Sequence, residues 1–250
     1  MPAGSYDTPA ILLGRQDYGE ADRIVRLLSP EYGRISAIAR SARRPGRRFS
    51  GGLEPGNSIK ATLRDRPGGL SVLEASDLLD GHLSARDNLE SSALLAHCVE
   101  LAGGLAREYQ PEPRLYGLLQ TALLLLDAST ALPSRAFRLG FDLKALTFAG
   151  LRPLLDRCVR CGEVPASNEA ICLVETGQGV AHFACAPHGT PIHADFLQAL
   201  REILQSPLRE LLDLAIPEGP PEVFSEAAEA FLGRPLLARR LLQSLEPPCR

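Results

Sequence analysis

The chain has 250 residues, a formal net charge of −3 and 45% apolar residues. That is enough to bury a core across roughly one to three domains, and it excludes a chain that is disordered throughout. The longest apolar runs, such as ALLLLDA at 122–128, fall far short of the ~18–20 residues of a membrane helix. The opening MPAGSYDTPAILLG lacks the basic-then-apolar order of a secretory signal, so a cytosolic protein is expected.

Residues 1–80 read as β structure. AILLG (10–14), RIVRLLS (23–29), RISAIAR (34–40), NSIKATLR (57–64) and LSVLEAS (70–76) are short and rich in aliphatic or β-branched residues. The fourth alternates, with Ile59, Ala61 and Leu63 on one face and Ser58, Lys60, Thr62 and Arg64 on the other. SPEYG (29–33) and DRPGG (65–69) supply turn residues. Five short strands joined by turns predict a small closed barrel, because closure removes exposed sheet edges. The one long connection, between the third and fourth strands, contains RRPGRRFSGGLEPG and is expected to be a mobile loop.

That loop carries a charge anomaly. Between Arg34 and Arg66 stand Arg34, Arg40, Arg43, Arg44, Arg47, Arg48, Lys60, Arg64 and Arg66 against Glu54 and Asp65, a local charge of +7 in an acidic chain. The guanidinium fork matches phosphate oxygens in pairs, and OB barrels bind single strands on one face and its loops. Arg34, Arg40, Arg43, Arg44, Arg47, Arg48, Lys60 and Arg64 are therefore the candidate nucleic-acid-binding residues. Phe49, Tyr32 and Tyr18 are the nearby aromatics available for base stacking, which is few. The expectation is backbone tracking with little sequence specificity. The competing reading is an interaction scaffold whose basic loop meets acidic proteins instead of DNA.

From residue 84 the apolar period becomes helical. Three segments follow, SARDNLESSALLAHCVELAGGLAREY with Ser84 as its N-cap, PRLYGLLQTALLLLDAS, and PSRAFRLGFDLKALTFAG closed by Gly150. Gly103-Gly104 predicts a break or a close approach. Helices resume at HADFLQALREILQS (193–206), SPLRELLDLA and SEAAEAFLGRPLLARRLLQSLE (225–246), the last bent near Gly233–Pro235. The fold class is α+β and multi-domain: a barrel over 1–80, a helical domain over 81–155 and 191–250, and an insert over 156–190.

The insert holds four of the six cysteines. Cys158-x-x-Cys161-Gly and Cys185-x-x-His188 flank a predicted hairpin, AICLV–ETGQG–VAHFA, which is the layout of a zinc ribbon. Cys158, Cys161, Cys185 and His188 are the preferred ligands of a structural Zn²⁺, because x-x spacing closes a chelate without bending a strand. Cys172 is the alternative fourth ligand, and His182 also lies near. A redox dithiol at Cys158 and Cys161 is the rival chemistry. His82, His97 and His193 stand alone in the sequence and read as structural, and Cys98 as core. The chain lacks a phosphate-binding G-x-x-x-x-G-K-[ST] loop, a G-x-S-x-G elbow and an H-E-x-x-H pair. A non-enzymatic protein is expected.

The order of parts resembles the RecO family of bacterial recombination mediators. YGEADRIVRLLSPEYG followed by AIARSARR is similar to that family's opening pattern, and FRLGFDLKALTFAGLRPLLDRCVRCG to its second signature. The resemblance implies an OB barrel, a helical domain and a zinc finger set within it. It implies binding of single- and double-stranded DNA, annealing of complementary strands, and action with RecR to help RecA replace SSB. It also implies contact with the acidic C-terminal tail of SSB through the helical domain, and association with the nucleoid.

Overall fold

A computed structural model of the chain describes residues 4–44, 48–49, 52–66, 69–166, 169–174, 177–220 and 222–245. The chain forms two compact units, Met1–Ala128 and Ser129–Arg250. The boundary falls inside the stretch that the sequence assigns to a single helical domain.

The first unit opens with five strands: β1 (Ser5–Tyr18), β2 (Asp22–Ser29), β3 (Gly33–Ala39), β4 (Ser58–Arg64) and β5 (Ser71–Asp80). They close into a barrel in the order β1-β2-β3-β5-β4. Neighbours are antiparallel except β3 and β5, which run parallel. This is the strand order expected of an OB barrel. β1 is longer than AILLG because it serves two partners. Ser5–Ile11 pair with β4, Ile11–Tyr18 pair with β2, and an irregularity between Leu12 and Gly14 turns the strand between them. The barrel is filled by Leu12, Val25, Leu27, Ile35, Ile59, Leu63 and Leu73. Burying each such side chain contributes about 1.5–3 kcal/mol. β4 alternates as its sequence predicts, except that Ser58 on the outward set is buried, with its Oγ 3.1 Å from His82 Nε2.

Three helices complete this unit: α1 (Leu83–Asp87), α2 (Leu89–Leu105) and α3 (Pro113–Ala128). The expected N-cap, Ser84, lies inside α1. The cap of the long helix is Asn88, whose side chain accepts from the amides of Glu90 and Ser91 at 2.9 and 3.0 Å. Gly103 does not break α2. A Cβ there would stand 3.3 Å from Leu13, so the glycine serves a close approach of helix to strand.

The second unit begins with α4 (Arg135–Phe148), capped by Ser134. It ends where Gly150, at φ +84°, lets Leu151 N–H reach Leu146 O at 2.8 Å and Gly150 N–H reach Thr147 O at 3.1 Å. The cysteine-bearing stretch follows. The predicted hairpin is present as β6 (Ile171–Leu173) and β7 (Val180–His182). A third strand, β8 (Thr190–Ile192), pairs with the other edge of β6. Then come α5 (Ala194–Gln205), α6 (Val223–Leu232) and α7 (Leu237–Leu245). The expected bend near Gly233 is a full break between α6 and α7. SPLRELLDLA forms a single 3-10 turn, Leu208–Leu211, rather than a helix. Two of its carbonyls are taken by the start of α4: Ser134 Oγ donates to Leu211 O and Ser134 N–H to Leu212 O.

Buried polar contacts fix the helices. Ser225 Oγ donates to Asp142 Oδ2 at 2.6 Å, and Lys144 Nζ donates to the last-turn carbonyls of Ile203 and Leu204 in α5. Arg239 of α7 reaches Glu222, Glu226 and Glu229 at 2.6–2.7 Å. No described helix is long and apolar enough to cross a membrane.

Candidate nucleic-acid interface and metal centre

The arginine tract leaves β3 through Ser41, held at φ 58°. Ser41 N–H donates to Asp22 Oδ1 at 2.7 Å, and Arg43 N–H donates to Ala21 O at 3.0 Å. Downstream, Ser76 N–H donates to Arg48 O at 2.8 Å, so the segment is tied to β5. The Arg48 guanidinium donates to Arg40 O at 3.1 Å and lies 5.7 Å over the Phe49 ring. The loop expected to be mobile is thus anchored at both described ends. Arg47 lies outside the described residues.

The candidate cations divide into two groups. Four are neutralised by carboxylates that stand outside the basic window in sequence. Arg34 meets Glu108 at 3.4 Å, Arg43 meets Asp17 at 3.5 Å, Lys60 meets Asp7 at 2.7 Å, and Arg64 meets Glu74 at 2.6 Å. Arg34 also donates to Gly103 O at 3.1 Å, tying β3 to the end of α2. The hydrogen bond from Lys60 holds the Asp7 carboxyl below the usual carboxylate range, and that from Arg23 does the same for Asp17. Glu74 is lowered first by Ser5 and then by Arg64. The second group is Arg40, Arg44 and Arg48, which are exposed and have no carboxylate partner among the described residues. These three present uncompensated charge at one end of the barrel.

Two of the three nearby aromatics pack against the barrel. Phe49 and Tyr32 lie half-buried against the barrel core, and the Tyr32 ring meets that of Tyr6 at a 48° tilt with centroids 4.8 Å apart. Tyr18 is 55% exposed.

In the second unit, Cys158, Cys161, Cys185 and His182 bring one donor atom each within 4.8 Å of one another. Three of the four expected ligands converge, and the fourth is different. His188 is exposed and stands outside the group, whereas His182 Nδ1 lies 3.4 Å from Cys161 Sγ and 3.9 Å from Cys185 Sγ. The reason is local. The 3-10 turn Phe183–Cys185 leaves β7 at His182 and folds Cys185 back beside it. His182-x-x-Cys185 has the same spacing as the expected Cys185-x-x-His188, and sequence spacing could not separate them. Cys172 is fully buried in β6, where its thiol donates to Ala186 O at 3.3 Å, and it too stands outside the group.

The donor set fits Zn²⁺. A tetrahedron with Zn–S of ~2.3 Å and Zn–N of ~2.05 Å has S···N edges of about 3.6 Å, close to the two His182 separations. The knuckle amides already favour thiolate: burial pushes the Cys158 thiol up, but the backbone amides of Cys161, Arg160 and His182 outweigh it and bring it to about 6. Cys185 is pushed up to about 11, by desolvation and then by Cys161 and Cys158. A divalent cation at the centre would remove that repulsion. His182 Nε2 faces Glu169 Oε2 at 3.2 Å, the outer carboxylate that commonly orients a ligating imidazole. Four protein donors leave no position for water, so such an ion would staple the fold and would not act as a Lewis acid.

Comparison with known proteins covers nearly the whole chain. The family model Recombination protein O N terminal matches residues 1–82, and Recombination protein O C terminal matches residues 86–240. The chain is 39% identical over 248 residues to DNA repair protein RecO of Anaeromyxobacter dehalogenans, covering 95% of each. It is 36% identical over 222 residues to that of Myxococcus xanthus, covering 89% of this chain and 87% of the relative. The barrel, the helices and the cysteine-bearing insert described above are therefore those of a member of the RecO family of DNA repair proteins, to which this chain belongs.

Proposed function

We propose that the protein is a non-enzymatic mediator that binds single- and double-stranded DNA with little sequence preference and anneals complementary strands. Acting with RecR, it helps RecA replace SSB on single-stranded DNA. The observation that carries this reading is the set of three exposed arginines, Arg40, Arg44 and Arg48, at one end of the closed barrel, without carboxylate partners among the described residues. Cations held on a pinned backbone lose little freedom when they meet phosphate. They neutralise charge on a strand, so a second, like-charged strand can approach. Arg34, Arg43, Lys60 and Arg64 are secondary contacts, since each must first leave an acid. Arg47 belongs to the same tract by sequence.

Zn²⁺ held by Cys158, Cys161, His182 and Cys185 props the three short strands β6–β8, each of three residues and too small to stand unaided. The acidic tail of SSB is assigned to the helical part. An apolar cavity of about 410 Å³ there, lined by Leu146, Leu151, Ala227, Phe231 and the cation Arg152, suits an apolar chain end with a carboxylate. The test is annealing of complementary oligonucleotides at two salt concentrations, with Arg40, Arg44 and Arg48 intact or replaced by alanine. A mediator accelerates pairing, and does so less at higher salt and without the arginines. A scaffold for acidic proteins does not accelerate pairing at all.

A further inference from the structure

We propose that Asp80, His82 and Asp127 form a second cation site, one that takes a divalent first-row metal ion such as Mn²⁺. The three residues come from three places in the first unit: the end of β5, the residue before α1, and the last turn of α3. One donor atom from each lies within 4.8 Å of the other two, and His82 Nδ1 is 3.6 Å from Asp80 Oδ1.

His82 supplies the independent observation. Its side chain is fully buried, and its Nε2 lies 3.1 Å from Ser58 Oγ, which satisfies that side of the ring. Its Nδ1 is buried with no hydrogen-bond partner. Leaving a buried polar nitrogen unpaired is destabilising. When Nε2–H donates to Ser58, the bare Nδ1 lone pair faces two carboxylates, so acceptor meets acceptor. A cation among the three converts that repulsion into coordination.

Capping explains part of the arrangement and leaves the rest. Asp80 Oδ1 accepts His82 N–H at 2.8 Å, and Asp127 Oδ1 accepts Ala85 N–H at 3.1 Å. Each carboxylate thus has one oxygen on a backbone amide, and its Oδ2 has no hydrogen bond among the described residues. Neither cap accounts for Nδ1. The nearby Arg86 guanidinium does not compete. It donates to Gly81 O, Pro55 O and Asn57 Oδ1 instead of pairing with either acid. The Asp80 side chain is 41% exposed, which gives an entry path.

One imidazole and two carboxylates suit Mn²⁺ and its neighbours in the first transition row, with water filling the open positions. Metal–ligand bonds of ~2.0–2.2 Å set neighbouring donors ~3.0–3.4 Å apart, so the carboxylates would move inward by about 1 Å. The site is chemically unlike the cysteine group, whose thiolates select softer ions. Mn²⁺ therefore reports on one and not the other.

The test uses the full chain with zinc already bound, titrated with Mn²⁺ while free Mn²⁺ is followed by EPR. The variants are Asp127→Asn and His82→Gln. Asparagine keeps an Oδ1 acceptor for Ala85 N–H, so the cap survives and only the charge is lost. The expected result is one Mn²⁺ per chain beyond the zinc, with affinity falling at least about tenfold in Asp127→Asn and in His82→Gln. Thermal unfolding without Mn²⁺ shows whether each variant is folded; if His82→Gln is not, Asp127→Asn decides alone. The proposal is overturned if the wild-type chain takes up no Mn²⁺ below ~1 mM, well above the range of a useful protein site. It is also overturned if folded Asp127→Asn binds Mn²⁺ as tightly as wild type.

Discussion

Glu169 Oε2 lies 3.2 Å from His182 Nε2, on the side of the ring away from the cysteines. It also accepts Ala166 N–H at 2.7 Å, which fixes the carboxylate in place. A carboxylate accepts only from a protonated nitrogen, so the pair favours the tautomer with the proton on Nε2 and the lone pair on Nδ1. Glu169→Gln keeps the size and an acceptor oxygen but removes the charge that raises ligand basicity. Zinc affinity is expected to fall about 10- to 100-fold, measured by competition with a chromogenic chelator. Equal affinity in the variant would show that Glu169 is a bystander.

The two histidines make opposite predictions. In His182→Ala, the bound zinc is expected to be lost to a mild chelator that leaves it in the wild-type chain. In His188→Ala, zinc content should match wild type, because His188 is exposed and outside the converging group. Complete removal of zinc from the wild-type chain should lower the melting temperature of the second unit and leave DNA binding by the barrel largely intact. Zinc loss in His188→Ala, with retention in His182→Ala, would return the ligand set to the one that spacing suggested.

The barrel was legible because the period of two, the turn residues and the long third connection are local properties. So was Gly150 as a helix stop, whereas at Gly233 only a bend was legible and not the full break. What could not be read were pairings between residues distant in sequence. Arg34 and Glu108 are 74 positions apart, and Lys60 and Asp7 are 53 apart, yet these pairs decide which cations are available. His82 looked isolated because Asp127 is brought to it only by α3. The fourth member of the cysteine group was ambiguous for a different reason: two histidines flank Cys185 at the same spacing, and the 3-10 turn brings His182, not His188, beside the thiols.

The division of cations predicts the salt dependence of DNA binding. Replacing Arg40, Arg44 and Arg48 together with alanine should reduce the slope of log K against log[salt] on single strands by about 2, from −0.7 per phosphate contact. Replacing Arg34, Lys60 and Arg64 together should change it less, since each of those charges is already answered by Glu108, Asp7 or Glu74. Equal reductions for the two triples would mean that DNA displaces the acids freely.

If the tract binds DNA as proposed, those acids act as a brake. Asp17 contacts both Arg23 at 3.0 Å and Arg43 at 3.5 Å. Asp17→Asn frees two cations beside the tract, and affinity for single strands should rise several-fold, with a slope steeper by up to about 1.4. The brake does not lift with mild acid. The hydrogen bond from Arg23 holds the Asp17 carboxyl below the usual aspartate value of ~3.9. The pairing is therefore present above that value and is lost only as pH falls through the lowered folded one. Affinity that rises steeply between pH 8 and 5 in the wild-type chain but not in Asp17→Asn would contradict this.

Phe49 separates packing from base stacking. It is half-buried against the barrel core, bridges to Ser76 of β5 and lies under the Arg48 guanidinium. If packing is its role, Phe49→Ala lowers stability by about 1–3 kcal/mol, less than the 3–5 typical of a fully buried phenylalanine. DNA affinity then falls only through loosening of Arg48. Phe49→Leu fills most of the same space without a ring, and should restore both stability and DNA affinity to near wild type. A stacking role gives another pattern: stability returns with leucine while affinity stays down by the ~1–3 kcal/mol that a stacked base contributes. Denaturant unfolding and fluorescence anisotropy on the same three proteins distinguish the two outcomes.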